Sequence, residues 1–274
     1  MIESLKQKSF FVREETLKLH GAAPESRIAS ALSAVEIFVV LYYGNILNFE
    51  PHNPQWEGRD RFIVSKGHGG ISLYPVLADS GFFDMQELRD IGKTNAILKA
   101  IPDCCVPGFE AINGSLGHGL GEACGMAVAL KRKGSLSKVF VLCGDWEMNE
   151  GSVWESIMFA SHHKLDNLIL IIDSNKLMML GYCRDILDME PFQTKLEAFN
   201  WKVDMADGHD VEQLHRALKQ LKEDDAPCPK ALVANTIKGK GVPSLETDPL
   251  CHVRSLKKDE IEEIIGRLRC QMKK

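Results

Sequence analysis

The sequence predicts an α/β fold, a parallel β-sheet with helices on both faces. Three observations predict it. First, "KVFVLCGD" and "DNLILIIDSN" are unbroken apolar runs rather than alternating ones, the pattern of strands buried on both faces. Second, the helical stretch "NEGSVWESIMFASHHK" lies between them, so strand, helix and strand follow at the spacing of a parallel crossover. Third, the pattern recurs: "WKVDMAD" and "KALVANT" read as two more buried strands, separated by the amphipathic helix "DVEQLHRALKQLKE".

The remaining elements follow in chain order. Residues 3–20 carry apolar groups at helical period. In "SALSAVEIFVVLYYGNIL", Ser33 is placed to cap an apolar helix. "RFIVSKGHGG" is a short strand over 61–65 that runs into a glycine-rich turn, and "ISLYPVLADSG" is helical despite its proline. "SLGHGLGEACGMAVALKRKG" starts at a capping Ser115 and ends at Gly134, with Lys131, Arg132 and Lys133 in the last turn, where the helix dipole favours cations. Residues 257–274 form a charged amphipathic helix. The Pro-rich joint "EDDAPCPK" is too short to separate domains, so one domain over 1–274 is expected.

Composition narrows the function. The chain has 274 residues, enough for a sizeable core, and a net charge of −5 with no long basic run, which argues against a nucleic-acid partner. No apolar stretch reaches about 18 residues, so no membrane span is expected. The start, "MIESLKQKSFFVREE", lacks the apolar core of a signal peptide. Eight cysteines are scattered without a CxxC pair, which predicts free buried thiols and a reducing, cytoplasmic location. Neither cysteines nor histidines fall at zinc-ligand spacing.

The site is expected beyond the carboxyl ends of the strands, where open parallel sheets bind ligands. Asp145 ends one apolar strand and Asp173-Ser174-Asn175 ends the next, with Asn175 30 residues beyond Asp145. Together Asp145 and Asn175 offer a carboxylate and an amide oxygen. These are hard ligands, too few to cage a cation alone, and they suit Mg²⁺ sharing its shell with water and a phosphate. The turn after Asp145 leads into a helix whose first amides would face the same anion. The alternative is that Asp145 merely caps that helix and Asn175 stabilises a turn.

"GDWEMNEG", followed after a crossover by "LDNLILIIDSNKL", resembles the thiamine-diphosphate motif of transketolases, which opens Gly-Asp-Gly and closes on Asn. "LSAVEIFVVLYY", "DRFIVSKGHGG", "PGFEAINGSLGHGLGEACGMAVALK", "EGSVWESIMFASHHKLDNLI", "DGHD" and "TIKGKGV" extend the resemblance in family order over about 18–252. It implies the transketolase diphosphate-binding fold. It implies thiamine diphosphate with Mg²⁺, or another divalent cation such as Ca²⁺ or Mn²⁺, held by Asp145, Asn175 and the Leu177 carbonyl. The backbone of Gly144 and Trp146 would approach the diphosphate. Gly114 and Leu116 would approach the aminopyrimidine, and Met179 would pack on the thiazolium. His68 and His252 match histidines that touch diphosphate and substrate, and the acid–base steps would fall to them at a pKa near working pH. Glu150 matches a carboxylate linking two active sites through the opposite subunit. The implied reaction breaks a ketose C–C bond at the thiazolium C2 carbanion and passes a two-carbon ketol unit to an aldehyde.

The resemblance also implies a missing half. The glutamate that activates the aminopyrimidine, and the aromatic residues that hold that ring, lie on the family's second domain. A separate pyrimidine-binding subunit is therefore expected, in an α2β2 assembly with sites at the interfaces. Three positions depart from the family. Arg27 and Ile101 stand where it has histidines, and Trp146 stands where it has glycine. Arg27 is a catalytic-site candidate that binds anions but shuttles protons poorly. If position 146 needs a positive φ, Trp is strained there. These departures point to a specialised sugar substrate. The alternatives are lineage drift with the family's ordinary activity kept, a regulatory subunit that has lost the cofactor, or a first-component subunit of a ketoacid dehydrogenase.

Overall fold

The computed structural model describes residues 1–111 and 114–272. Five strands, β1 (Arg61–Val64), β2 (Val139–Gly144), β3 (Leu168–Ser174), β4 (Lys202–Asp207) and β5 (Lys230–Asn235), form one parallel sheet in the order β1-β2-β3-β5-β4. Inward residues alternate along each strand because successive side chains point to opposite faces. Phe140 and Leu142 of β2, with Ile169 and Ile171 of β3, join the core shared with the helices Ile2–Ala22, Val35–Tyr43 and Val211–Glu223. Val139, Val141 and Cys143, with Leu168, Leu170 and Ile172, pack on the other face against the helices Gly119–Arg132 and Gly151–His162. Both faces are covered, which is why these strands read as continuous apolar runs.

The structure corrects several local expectations. β4 is an edge strand with Lys202, Met205 and Asp207 exposed, not a strand buried on both faces. Ser33 caps nothing: the expected apolar helix, Val35–Tyr43, starts after Ala34, and a short helix, Ile28–Leu32, precedes it. The Ser33 hydroxyl instead donates its one hydrogen to Asp173 Oδ2 (2.6 Å), with Ser30 O 3.0 Å away. Ser115 is no cap either, because the helix Gly119–Arg132 begins after His118. The last helix, Lys258–Met272, lays Ile261, Ile264, Ile265 and Leu268 into the core, while residues 273 and 274 of the predicted helix lie outside the described residues. So do Ile112 and Asn113 of "PGFEAINGSLGHG". The eight cysteines are unpaired, but only Cys124, Cys143 and Cys251 are buried; Cys104, Cys105 and Cys270 are exposed. Among the described residues no helix is long and apolar enough to cross a membrane.

The strand register sets the site. Gly144 pairs with Asp173, and Ser174 pairs with Asn235. Asp145, Asn175 and Thr236, the residues that follow β2, β3 and β5, therefore leave the sheet at one edge.

Candidate functional site

That edge opens into a cavity of about 290 Å³ whose lining includes Asp145, Asn175, Leu177, Lys238, His68 and His252. Asp145 is buried, and among the described residues its carboxylate accepts only backbone amides, from Trp146 (2.8 Å) and from Lys176. Burial, with Asp173 close by, pushes its pKa up to about 6. Asn175 Oδ1 accepts the Leu177 amide at 3.1 Å, and the chain turns back tightly, with Met178 N–H donating to Gly181 O at 2.9 Å. The Leu177 carbonyl, the third expected ligand, accepts from Lys238 Nζ at 2.7 Å.

Glu147 organises the floor and was missed by the sequence reading. It is buried, accepts the Gly117 amide (2.8 Å) and the Ser65 hydroxyl at Oε1, and accepts the Gly144 amide (3.0 Å) at Oε2. Burial pushes its carboxyl up from the usual range, and these three donors pull the other way. One side chain thus ties "SKGHGG", "GSLGHG" and the strand end at Gly144 together. The glycines of the second motif allow the close approach: a Cβ at Gly117, where φ is +85°, would lie 2.6 Å from Glu150 Cβ, and one at Gly119 would lie 2.5 Å from Ser65. The only signal in the sequence was the position of Glu147 just past a strand end.

Two buried lysines line the cavity, and their roles differ. Lys66 Nζ donates to Asp173 Oδ2, to Ser30 O (3.2 Å) and to Ser33 Oγ (3.2 Å), so its three hydrogens are used. Burial alone would raise the Asp173 pKa, but Lys66, Ser33 and Thr236 hold it below the usual range. Lys238 donates to Leu177 O alone among the described residues, leaving two hydrogens to face the cavity. Burial and the nearby Lys66 bring its pKa down to about 8.

The other expected site residues are placed unevenly. The His68 and His252 rings stand 5.4 Å apart, and His252 Nδ1 lies 3.4 Å from Ser30 Oγ. Their pKa values are not near neutrality as expected. Burial, then Lys66, takes His68 well below its ordinary value, and burial, then Lys238 and Arg27, takes His252 to about 4. Burial and the neighbouring cations thus favour the neutral form of both imidazoles. Gly114, Leu116, Gly144, Trp146 and Met179 all line the cavity. Arg27 and Glu150 do not; both are exposed, Arg27 heading the helix Ile28–Leu32 and Glu150 heading Gly151–His162. Trp146 sits half-buried in a right-handed 3-10 turn, Trp146–Asn149, so the strain of a positive φ does not arise.

The donor set fits a hard divalent cation: a carboxylate, an amide oxygen and a backbone carbonyl, with no direct cationic partner for Asp145 among the described residues. A Cβ added at Gly144 would meet only Lys66 Cβ, at 3.9 Å. Among the described residues no close contact requires glycine there, and its backbone lies open along the cavity. A bare backbone, hard oxygens and a lysine with unused donors, set at the carboxyl ends of parallel strands, define a phosphate-binding α/β domain.

The comparisons with known proteins resolve the class. The family described as "Transketolase, thiamine diphosphate binding domain" matches residues 22–273, and the chain belongs to that family. It is 34% identical over 265 residues to the 6-deoxy-6-sulfo-D-fructose transketolase subunit SqwG of Clostridium sp. (strain MSTE9), covering 96% of each chain. It is 36% identical over 269 residues to one of the subunits of the apulose-4-phosphate transketolase of Actinobacillus succinogenes, covering 97% of this chain and 96% of that one. Human transketolase is 36% identical over 272 residues, but the chain spans only 43% of it. A crystal structure of the Campylobacter jejuni transketolase superposes with a TM-score of 0.90 at 30% identity, over 98% of this chain and 43% of that one.

Proposed function

We propose that this chain is the diphosphate-binding subunit of a two-component, thiamine-diphosphate-dependent transketolase that moves a two-carbon ketol unit between specialised sugars. The observation that carries this reading is the joint placement of Asp145, Asn175 and the Leu177 carbonyl at one sheet edge, beside the bare backbone of Gly144. Asp145, Asn175 and Leu177 would hold Mg²⁺, Ca²⁺ or Mn²⁺. Gly144 and Trp146 would lie along the diphosphate, with Lys238 as its cation, and Gly114, Leu116 and Met179 would flank the organic rings. When bound, the cofactor supplies the electron sink for cleaving a bond next to a ketone. His68 and His252, neutral and side by side, accept and return protons at the substrate hydroxyls. Arg27 stands near His252 to meet an anionic group on the sugar, and Glu150 is exposed where a second copy can reach it.

Support for a separate partner comes from length. The chain matches two relatives named as subunits over nearly their whole length, and it spans under half of the one-chain transketolases. A pyrimidine-binding subunit in an α2β2 assembly completes the site. Support for a specialised substrate comes from those same two relatives, named for a sulfosugar and a branched sugar phosphate. The unpaired cysteines fit a cytoplasmic setting. The unstrained turn at Trp146 removes the backbone ground for a subunit that has lost its cofactor.

Native mass spectrometry of the tagged chain, drawn gently from its source cells in Mg²⁺ buffer, tests the reading. The expected result is a complex with a second subunit of similar size that carries thiamine diphosphate, and no cofactor mass with Asp145→Ala. A lone chain, or a complex without cofactor, overturns it.

A further inference from the structure

Away from the cavity lies a buried charged triad that the mechanism does not use. Arg13, on the helix Ile2–Ala22, donates from Nη2 to Glu36 Oε1 at 2.6 Å, and both side chains are buried. The other oxygen, Glu36 Oε2, lies 2.9 Å from His209 Nδ1. His209 sits in the turn after β4. Its second nitrogen, Nε2, accepts the backbone N–H of Ile237 at 2.8 Å. That bond fixes the tautomer: Nε2 must keep its lone pair, so the proton is on Nδ1 and points at Glu36. At the other end, Arg13 Nε donates to the carbonyl of Lys240 at 3.0 Å. A Cβ on Gly241 would lie 2.5 Å from Arg13 Cδ, so the segment is pressed against this arginine.

The two backbone groups gripped by the triad, Ile237 N–H and Lys240 C=O, bracket Lys238. Between them, Gly239 N–H is bonded to Ala29 O at 2.9 Å. The segment is therefore held at three points in four residues, and Lys238 is the side chain it presents to the cavity. A buried ion pair is weak evidence for stability, since apolar replacements often do as well. What this triad provides is geometry. Without the His209 and Arg13 bonds the segment would lose the grips on either side of Lys238 and keep the Gly239 amide bond and the bond from Lys238 itself to Leu177 O.

We propose that His209, backed by Glu36 and Arg13, is a positioning residue for Lys238, holding its ammonium on the anionic end of the ligand from across the fold. The inference rests on the diphosphate-binding reading above. His209→Leu removes the acceptor for Ile237, and His209→Gln restores one at nearly the same reach. The test measures thiamine diphosphate affinity of the Mg²⁺-loaded assembly with its partner subunit, by calorimetry. It is run for both variants and for His209→Leu in a Lys238→Met background, with melting followed throughout. The expected result is about a tenfold loss for His209→Leu and recovery to within about threefold in His209→Gln. In the Lys238→Met background, His209→Leu should change affinity by less than about twofold, because its effect runs through the lysine. Equal losses in both backgrounds mean general loosening and overturn the proposal, as does unchanged affinity in His209→Leu. If His209→Leu does not fold, His209→Asn, polar but too short to reach Ile237, replaces it in the same cycle. Failure of the wild-type assembly to bind thiamine diphosphate overturns the diphosphate reading and this inference together; binding by wild type with no effect of His209 overturns this inference alone.

Discussion

The backbone amide of Asp145 donates to the carbonyl of Asp173 at 3.2 Å, so two buried carboxylates stand at neighbouring strand ends in unlike surroundings. Asp173 has an ammonium and two hydroxyls around it. Asp145 has two amides and, among the described residues, no cation in direct contact. The first is a finished structural charge. The second is a buried carboxylate held by backbone amides at the cavity edge.

A pH dependence follows for the metal-free chain. The Asp145 pKa is raised from 3.8 to about 6 in the folded state, so between those values the folded form holds a proton that the unfolded form has lost. Stability through this group is therefore present below about pH 4 and falls as pH rises to about 6, by up to about 3 kcal/mol. Urea unfolding of wild type minus Asp145→Asn should show that slope. Added Mg²⁺ should raise the wild-type midpoint at pH 7.5 and leave Asp145→Asn unmoved. A Mg²⁺ response that survives in Asp145→Asn would place the cation elsewhere.

Lys66→Met should be among the most damaging single changes. It strips the cation from Asp173, a carboxylate with no exposed surface, and breaking one side of a buried pair costs about 3–5 kcal/mol. Lys66→Met with Asp173→Asn should recover much of that loss, because the pair, not the lysine alone, is the unit. Chemical denaturation of the three variants decides it; a double variant no better than the single would mean Lys66 matters for its packing.

Glu147→Gln probes the floor. A carboxylate accepts from all three donors, whereas an amide turns one of its ends into a donor facing an N–H. The cost should be about 1–3 kcal/mol by thermal or urea unfolding. Amide exchange at Gly117 and Gly144 should accelerate together, since one side chain holds both. Acceleration at only one of them would mean that the two loops are held independently.

The sheet was legible because burial on both faces removes alternation and leaves apolar runs, and Asp145 and Asn175 were legible because such runs stop abruptly at the ligand edge. Helix starts were less so. Ser33 and Ser115 look like caps, but tertiary demands took Ser33 for Asp173 and left Ser115 four residues short of its helix. β4 lies at the edge, and its Lys202, Asp204 and Asp207, set among apolar residues, are the local sign of that exposure which the strand-helix rhythm overrode. Glu147, Lys66 and Lys238 were missed as site groups because a charged residue in a loop ordinarily faces solvent; only the packed structure buries them. The histidines were found by motif, but their depressed pKa values come from burial first and then from the nearby lysines, and neither is written in the sequence.

Trp146 gives the sharpest test of a departure from the family pattern. Glycine at a position of positive φ stabilises by about 1 kcal/mol relative to a side chain forced there. Trp146 lies in a right-handed turn, so Trp146→Gly should do the opposite, costing about 1–2 kcal/mol through added backbone freedom and lost ring burial. Stabilisation by that substitution would show that the turn is strained after all. The ring also lines the cavity, so its emission should report the ligand directly. Thiamine diphosphate with Mg²⁺ should quench the fluorescence of the assembly. Most of that quenching should vanish in Trp146→Phe, because Trp56, Trp154 and Trp201 lie outside the cavity lining. Quenching that persists undiminished in Trp146→Phe would move the ligand away from the strand end where Asp145 and Asn175 meet.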